Sequence, residues 1–187
     1  MRTLSMFLLV IGCIWVSTAC NSEKPPKIDT PETIGQVMEM SKSQKAMNSL
    51  IIPYLDIKDA LVSGNSKKAA ETSAAFGKAL GTFDIMALSA ENKQRWVIRS
   101  ADLAAKSSFL LTKADLEQQR SAFSALSQAL IATVQDMGTD GSTLYVQHCP
   151  MAFDNTGADW LSDSEKVVNP YFGDAMLHCG TVKETLN

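Results

Sequence analysis

The chain has 187 residues, 45% of them hydrophobic and 20% charged, with a formal net charge of −3. That composition excludes a disordered chain, and the length suits one domain with a buried core. No basic cluster exceeds Lys67-Lys68, so charge recruits neither nucleic acid nor an anionic lipid surface.

At the amino end, Met1-Arg2-Thr3 carries one positive charge and Leu4 to Val16 is an apolar run broken by Ser5, Gly12 and Cys13. The run is too short for a membrane span, which needs about 20 residues. Small residues at Ser17-Thr18-Ala19 precede Cys20, the order of a secretory signal that ends in a cysteine. It resembles a bacterial lipobox, although Ser17 stands where Leu is favoured. Cys13, after Val10-Ile11-Gly12, is the other candidate, but cleavage there leaves an apolar core below the roughly 7 residues a signal requires. The expectation is a signal peptide over 1–19, a lipid on Cys20, and a bacterial envelope protein facing the periplasm, with the outer membrane as its expected anchor. Residues 20–42 then form a tether, with Pro25, Pro26 and Pro31 among polar residues that cannot bury enough surface to fold.

Export would remove two of the four cysteines and leave Cys149 and Cys179. In an oxidising envelope such a pair is by default a disulfide. Closing a loop of about thirty residues would stabilise the fold by roughly 3 to 4 kcal/mol on the entropy model.

From Ser43 to Val62 the apolar positions Met47, Leu50, Ile51, Tyr54, Leu55, Ile57 and Leu61 recur at helical spacing. Pro53 should kink or restart that helix. Ser66 to Leu80 is alanine-rich, with Ala70, Ala74, Phe76, Ala79 and Leu80 as its apolar face. Ser89 can cap a third helix that carries Trp96, Val97, Leu103, Ala104 and Leu110. Asp115 or Thr112 can cap a fourth over Leu116 to Met137, with Phe123, Leu126, Leu130, Ile131 and Val134. These segments predict a mainly α protein, an up-and-down four-helix bundle spanning a domain of residues 43–187. Met38, Met40 and Met47 read as helix packing.

After Gly138 the pattern changes. Thr143 to Cys149 is short and rich in β-formers, an extended segment that would project Cys149 and Met151 to one side. Asp154-Asn155-Thr156-Gly157 signals a turn. Asn169-Pro170 opens a predicted short helix stopped by Gly180, in which Met176 and Cys179 share a face. This extended segment and short helix are expected to lie on the bundle, held by Trp160, Tyr171 and Phe172.

The tail also gathers the chain's only two histidines. His148-Cys149-Pro150-Met151 and Met176-Leu177-His178-Cys179 twice place sulfur beside imidazole, and thiolates with thioethers favour Cu(I) over hard cations. The candidate metal ligands are Cys149, Met151, Met176 and Cys179, with His148 and His178 as accessories. The alternative reading for the methionines is core filling, and for each histidine a surface residue or a partner of a backbone carbonyl.

The combination of Tyr145, His148-Cys149-Pro150-Met151-Ala152, Gly157-Ala158-Asp159-Trp160-Leu161-Ser162 and Asn169-Pro170-Tyr171-Phe172-Gly173 with Met176-Leu177 and Cys179-Gly180 resembles the bacterial family called domain of unknown function 3347. The resemblance spans Ser43 to the C-terminus and is most specific in the tail. It implies a helical envelope domain, found alone or fused to periplasmic adaptors of heavy-metal efflux systems, with a link to copper or silver. It carries over Cys149, Met151, Met176 and Cys179 as the sulfur residues.

Catalysis has little support. A cysteine nucleophile needs a histidine base and an orienting group, and only Cys149 with His178 offers a start. The chain lacks Cys-x-x-Cys, a haem motif, a Gly-rich phosphate loop and His-Glu-x-x-His. The expectation is a non-enzyme that binds Cu(I) or Ag(I) and meets an efflux adaptor or a copper-handling protein. The alternative is a structural or interaction domain pinned by a Cys149–Cys179 disulfide.

Overall fold

The structure, a computed structural model, describes the backbone of residues 31–187 apart from 114, 140 and 142, and side chains from residue 42 onward. The signal peptide and the lipidation expected at Cys20 lie outside the described residues. Four long helices come first: α1 (Pro31–Val62), α2 (Ser66–Gly81), α3 (Ala90–Leu111) and α4 (Leu116–Met137). Among the described residues no helix is long and apolar enough to cross a membrane.

The helices start where side chains can satisfy the free N–H groups of a first turn. Asn65 Oδ1 accepts from Lys68 N, Ser89 Oγ from Asn92 N, and Asp115 Oδ1 from Glu117 N. Each helix packs on its neighbour in the chain and α1 also meets α4, so short connections and a shared core close the expected bundle. Its interior holds Leu50, Tyr54, Ile57, Leu61, Phe76, Leu103, Leu110, Phe123, Leu126 and Leu130, all with no exposed surface. Tyr54 stacks on Phe123 at 5.0 Å and Phe83 on Trp96 at 3.7 Å between ring centroids.

Four expectations for the helices are corrected. Helix α1 begins at Pro31, so residues 31–42 of the expected tether are helical. It also runs through Pro53 without a break in the helical assignment. Burial of Leu50, Ile51, Tyr54 and Ile57 on both sides of that proline outweighs the one backbone hydrogen bond a proline removes. The inward face of α2 carries Ala69, Thr72, Ser73 and Phe76, one step round from the predicted Ala70 and Ala74. Thr72 and Ser73 can face inward because their hydroxyls donate to Lys68 O and Ala69 O, which removes the penalty of burying them. On α3 Trp96 is buried but Val97 is two-thirds exposed.

The tail is a small antiparallel sheet of order β2-β1-β3, made of β1 (Leu144–Cys149), β2 (Ala158–Ser162) and β3 (Thr181–Leu186). Strand β2 lies on α4. Tyr54 Oη, 2.7 Å from Ser127 Oγ, accepts the Leu161 backbone N–H at 3.0 Å, which ties α1, α4 and β2 at one point. Trp160 has no exposed surface and meets the edge of Tyr171 at 5.6 Å, and Tyr171 in turn contacts Phe123 of α4. The aromatic residues therefore hold the tail on the bundle as the sequence predicts.

The predicted helix over 170–180 is not formed. Asn169 Oδ1 does accept from Tyr171 N and Phe172 N, as a cap would, but no helix follows it. A single 3-10 turn, Gly173–Ala175, is all that follows. Gly173 sits at φ +56, and a Cβ there would come within 2.8 Å of Arg120 Nη2 and of Val62 O. Docking of this segment on the end of α1 selects a left-handed glycine where a helix would need right-handed backbone.

Candidate functional site

The tail brings its two cysteines together. Cys149 closes β1 and has no exposed surface, whereas Cys179 is partly exposed just before β3. Both are free thiols, with Sγ atoms 3.3 Å apart. Two features place them. Gly180, at φ +141, lies so close to β1 that a Cβ would fall 2.7 Å from His148 O, so only a residue without a side chain lets Cys179 reach the end of β1. Asn169, wholly buried, donates from Nδ2 to Cys179 O at 2.7 Å, while its backbone N–H donates to Leu177 O. The Cys179 N–H completes the turn by donating to Met176 O.

The hydrogen bond with Cys149 is the main reason the Cys179 thiol titrates above its ordinary range, with burial and the neighbouring thiol acting in the same direction. Cys179 therefore holds its proton at neutral pH, and a soft ion must displace it to bind there.

Each histidine already has a partner. His148 pairs across the sheet with Asp159, and its Nδ1 lies 2.6 Å from Asp159 Oδ1. Lys183, the extra residue in a bulge of β3 opposite Val146 and Gln147, donates to the other carboxylate oxygen at 2.8 Å. Neighbouring residues of a strand face opposite ways, so this His–Asp–Lys cluster lies on the other side of β1 from the Cys149 thiol. His178 is exposed and its Nδ1 lies 2.8 Å from Val167 O.

The two methionines are not placed by the elements that were expected to place them. Met151 follows Pro150 in a turn beyond β1, with helical backbone and 47% exposure, so strand alternation does not aim it with Cys149. Met176 is partly buried with non-helical backbone after the 3-10 turn, so no helical face pairs it with Cys179. Among the described residues no group of three or more His, Cys, Asp or Glu side chains converges. What the fold assembles is the dithiol.

Several residues that build the site carried little signal in the sequence. Asp159 and Lys183 become partners of His148 only through strand register. Arg120 donates from Nε to Pro170 O and from Nη2 to Leu61 O, and so joins the site's loop to the C-terminus of α1. Next to the dithiol, Phe153, Asp154 and Asn155 all have positive φ. The turn signal at Asp154-Asn155 anticipates two of these, since Asp and Asn tolerate that region best, and Phe153 is retained there with its ring on Tyr171 at 5.3 Å. The groove between α3 and α4, lined by Lys106, Phe109, Lys113 and Gln118, contains none of the predicted site residues.

In comparison with known families, residues 50–142 match the model described as protein of unknown function (DUF3347). The chain resembles DUF3347 through its bundle. The DUF3347 match runs from within α1 to the end of α4 and stops before β1. This corrects where the resemblance is strongest: it rests on the helices, and Cys149, Met151, Met176 and Cys179 all lie beyond the matched span. No curated protein and no solved structure matches the chain.

Proposed function

We propose that the protein is a lipid-anchored domain of the bacterial envelope that captures a soft monovalent ion, Cu(I) or Ag(I), with Cys149 and Cys179 as its thiolate ligands. The supporting observation is the Sγ–Sγ contact of 3.3 Å between one buried and one partly exposed thiol. Two thiolates make a soft site, and the exposed sulfur gives the ion a way in. A linear ion would hold the sulfurs at roughly twice a 2.3 Å metal–sulfur bond, so capture opens the pair by on the order of 1 Å. Cys179 can supply that movement, since it belongs to a turn and Cys149 to the central strand. Met176, three residues before Cys179, is the candidate third donor; Met151 would have to swing in from solvent. Handing the ion to an efflux adaptor or a copper-handling protein by ligand exchange follows from an open site. Nothing in this arrangement requires catalysis.

The test is titration of fully reduced protein with Cu(I) against a competing chelator. One ion is expected per chain, with at least a hundredfold loss of affinity in Cys149→Ser and in Cys179→Ser, and a smaller loss in Met176→Leu, which preserves volume. Thiol protonation should weaken binding as pH falls from neutral. Unchanged affinity in both serine variants would remove the metal reading.

A second reading is favoured by the same contact: under oxidising conditions Cys149 and Cys179 form a disulfide that pins the tail, and the domain acts by binding a partner such as an efflux adaptor. The loop so closed carries Trp160, Tyr171 and the Arg120-bound Pro170.

A further inference from the structure

The two sulfurs are unequal in a way that sets the order of their chemistry. Cys149 stands at the end of the central strand with no exposed surface. The Cys179 thiol is partly exposed, lies on a turn rather than a strand, and is within 3.3 Å of its partner. Thiol–disulfide exchange needs the attacking sulfur to reach a disulfide from outside, and the second thiol to reach the mixed disulfide so formed. We infer that Cys179 is the sulfur through which this protein exchanges with a disulfide-bearing oxidant, and that Cys149 is the resolving thiol. The inference rests on the disulfide reading above and is independent of the metal reading.

The steps balance. Cys179 loses its proton, and its Sγ attacks one sulfur of the oxidant R–S–S–R. That S–S bond breaks, and the leaving R–S⁻ takes up the proton as R–SH. Cys149 then attacks Cys179 Sγ, the mixed disulfide breaks, and a second R–SH leaves with the Cys149 proton. The two cysteine thiols are oxidised by two electrons and the oxidant's disulfide is reduced to two thiols. The second step needs little rearrangement, because the two sulfurs already touch.

The experiment uses the full chain with Cys13 and Cys20 replaced by serine, reduced and then mixed with glutathione disulfide. Adducts are quenched with acid and located by peptide mass spectrometry. The unsubstituted pair should end as the Cys149–Cys179 disulfide with no glutathione retained. Cys149→Ser should accumulate one glutathione on Cys179. Cys179→Ser should react at least tenfold more slowly, and circular dichroism should show both variants folded. Where either variant fails to fold, limited alkylation of the parent with iodoacetamide decides, since label should appear on Cys179 before Cys149. Equal rates in the two variants, or label on Cys149 first, would overturn the order of attack. Stable glutathione adducts in the parent, with no internal disulfide, would overturn the disulfide reading as well. Cu(I) titration of the same reduced protein reads the metal proposal separately.

Discussion

Asn169 organises more of the tail than any other single side chain. With no exposed surface, it accepts two backbone N–H groups through Oδ1 and donates through Nδ2 to the carbonyl of Cys179. Replacing it with alanine leaves one buried and two part-buried backbone groups without a partner, which should destabilise the tail by on the order of 3 kcal/mol. Urea unfolding of Asn169→Ala at fixed redox state measures this, and the variant should also expose Cys179 to alkylation faster than the parent. A midpoint unchanged from the parent would mean that the Cys179 turn is held by something else. The sequence marks Asn169 as a helix cap, and its side chain does accept two backbone N–H groups, but the short helix it was expected to start is absent, because Gly173 must fit against Arg120 and Val62. The histidines show a similar limit. Their partners, Asp159 and the Val167 carbonyl, lie eleven residues away in each case, and no local spacing rule reaches them.

The junction between bundle and sheet depends on the Tyr54 hydroxyl, which bonds Ser127 of α4 and the Leu161 N–H of β2. Tyr54→Phe keeps the ring and its stacking on Phe123 but leaves the Leu161 N–H orphaned in a dry interior. The expected loss is about 1–3 kcal/mol. Hydrogen exchange should show it at Leu161 and its β1 partner Val146 more than within α2 or α3. Uniform change across all elements would instead mean that bundle and sheet unfold as one unit. At this scale the helices were legible because each carries apolar residues at helical spacing, and α2, α3 and α4 each have a capping residue that works locally. Only one strand was anticipated. Strand β2 holds Trp160 and Leu161 between polar neighbours, and β3, Thr181–Leu186, is largely exposed. Neither has the alternation that marks a strand, and each is defined by pairing with β1.

Three buried or hydrogen-bonded acids shape how the whole molecule responds to pH. Burial raises the titration of Tyr54 and Tyr171, and the bond to Cys149 raises that of Cys179. A folded-state value above the unfolded one means that the fold favours the protonated group. Its contribution is therefore complete at neutral pH and is lost as pH rises past the unfolded value. Reduced protein should hold its stability up to about pH 8.5, the ordinary thiol range, and weaken steadily above it. Thermal unfolding across pH 7 to about pH 11 tests this. The early part of the decline should vanish in the Cys149–Cys179 disulfide form, which has no Cys179 thiol to titrate, while the tyrosine part should remain. A reduced protein whose melting temperature does not fall over that range would contradict the assignment.

Read alone, the sequence determined the mainly helical class, the capping residue Ser89, a choice of Asp115 or Thr112 for the fourth helix, and the aromatic body of the tail, and it singled out Cys149 and Cys179 as a pair. All of these depend on residues close in the chain or on residue types whose behaviour changes little with context. Tertiary structure decided the rest. It carried α1 through Pro53, because burial on both sides outweighs one lost hydrogen bond. It replaced a helix with a glycine turn where the tail meets Arg120, and it turned Met151 outward at Pro150. It set two thiols thirty residues apart at 3.3 Å, a contact that no periodicity encodes, because it depends on how closely Gly180 lets the turn before β3 approach β1.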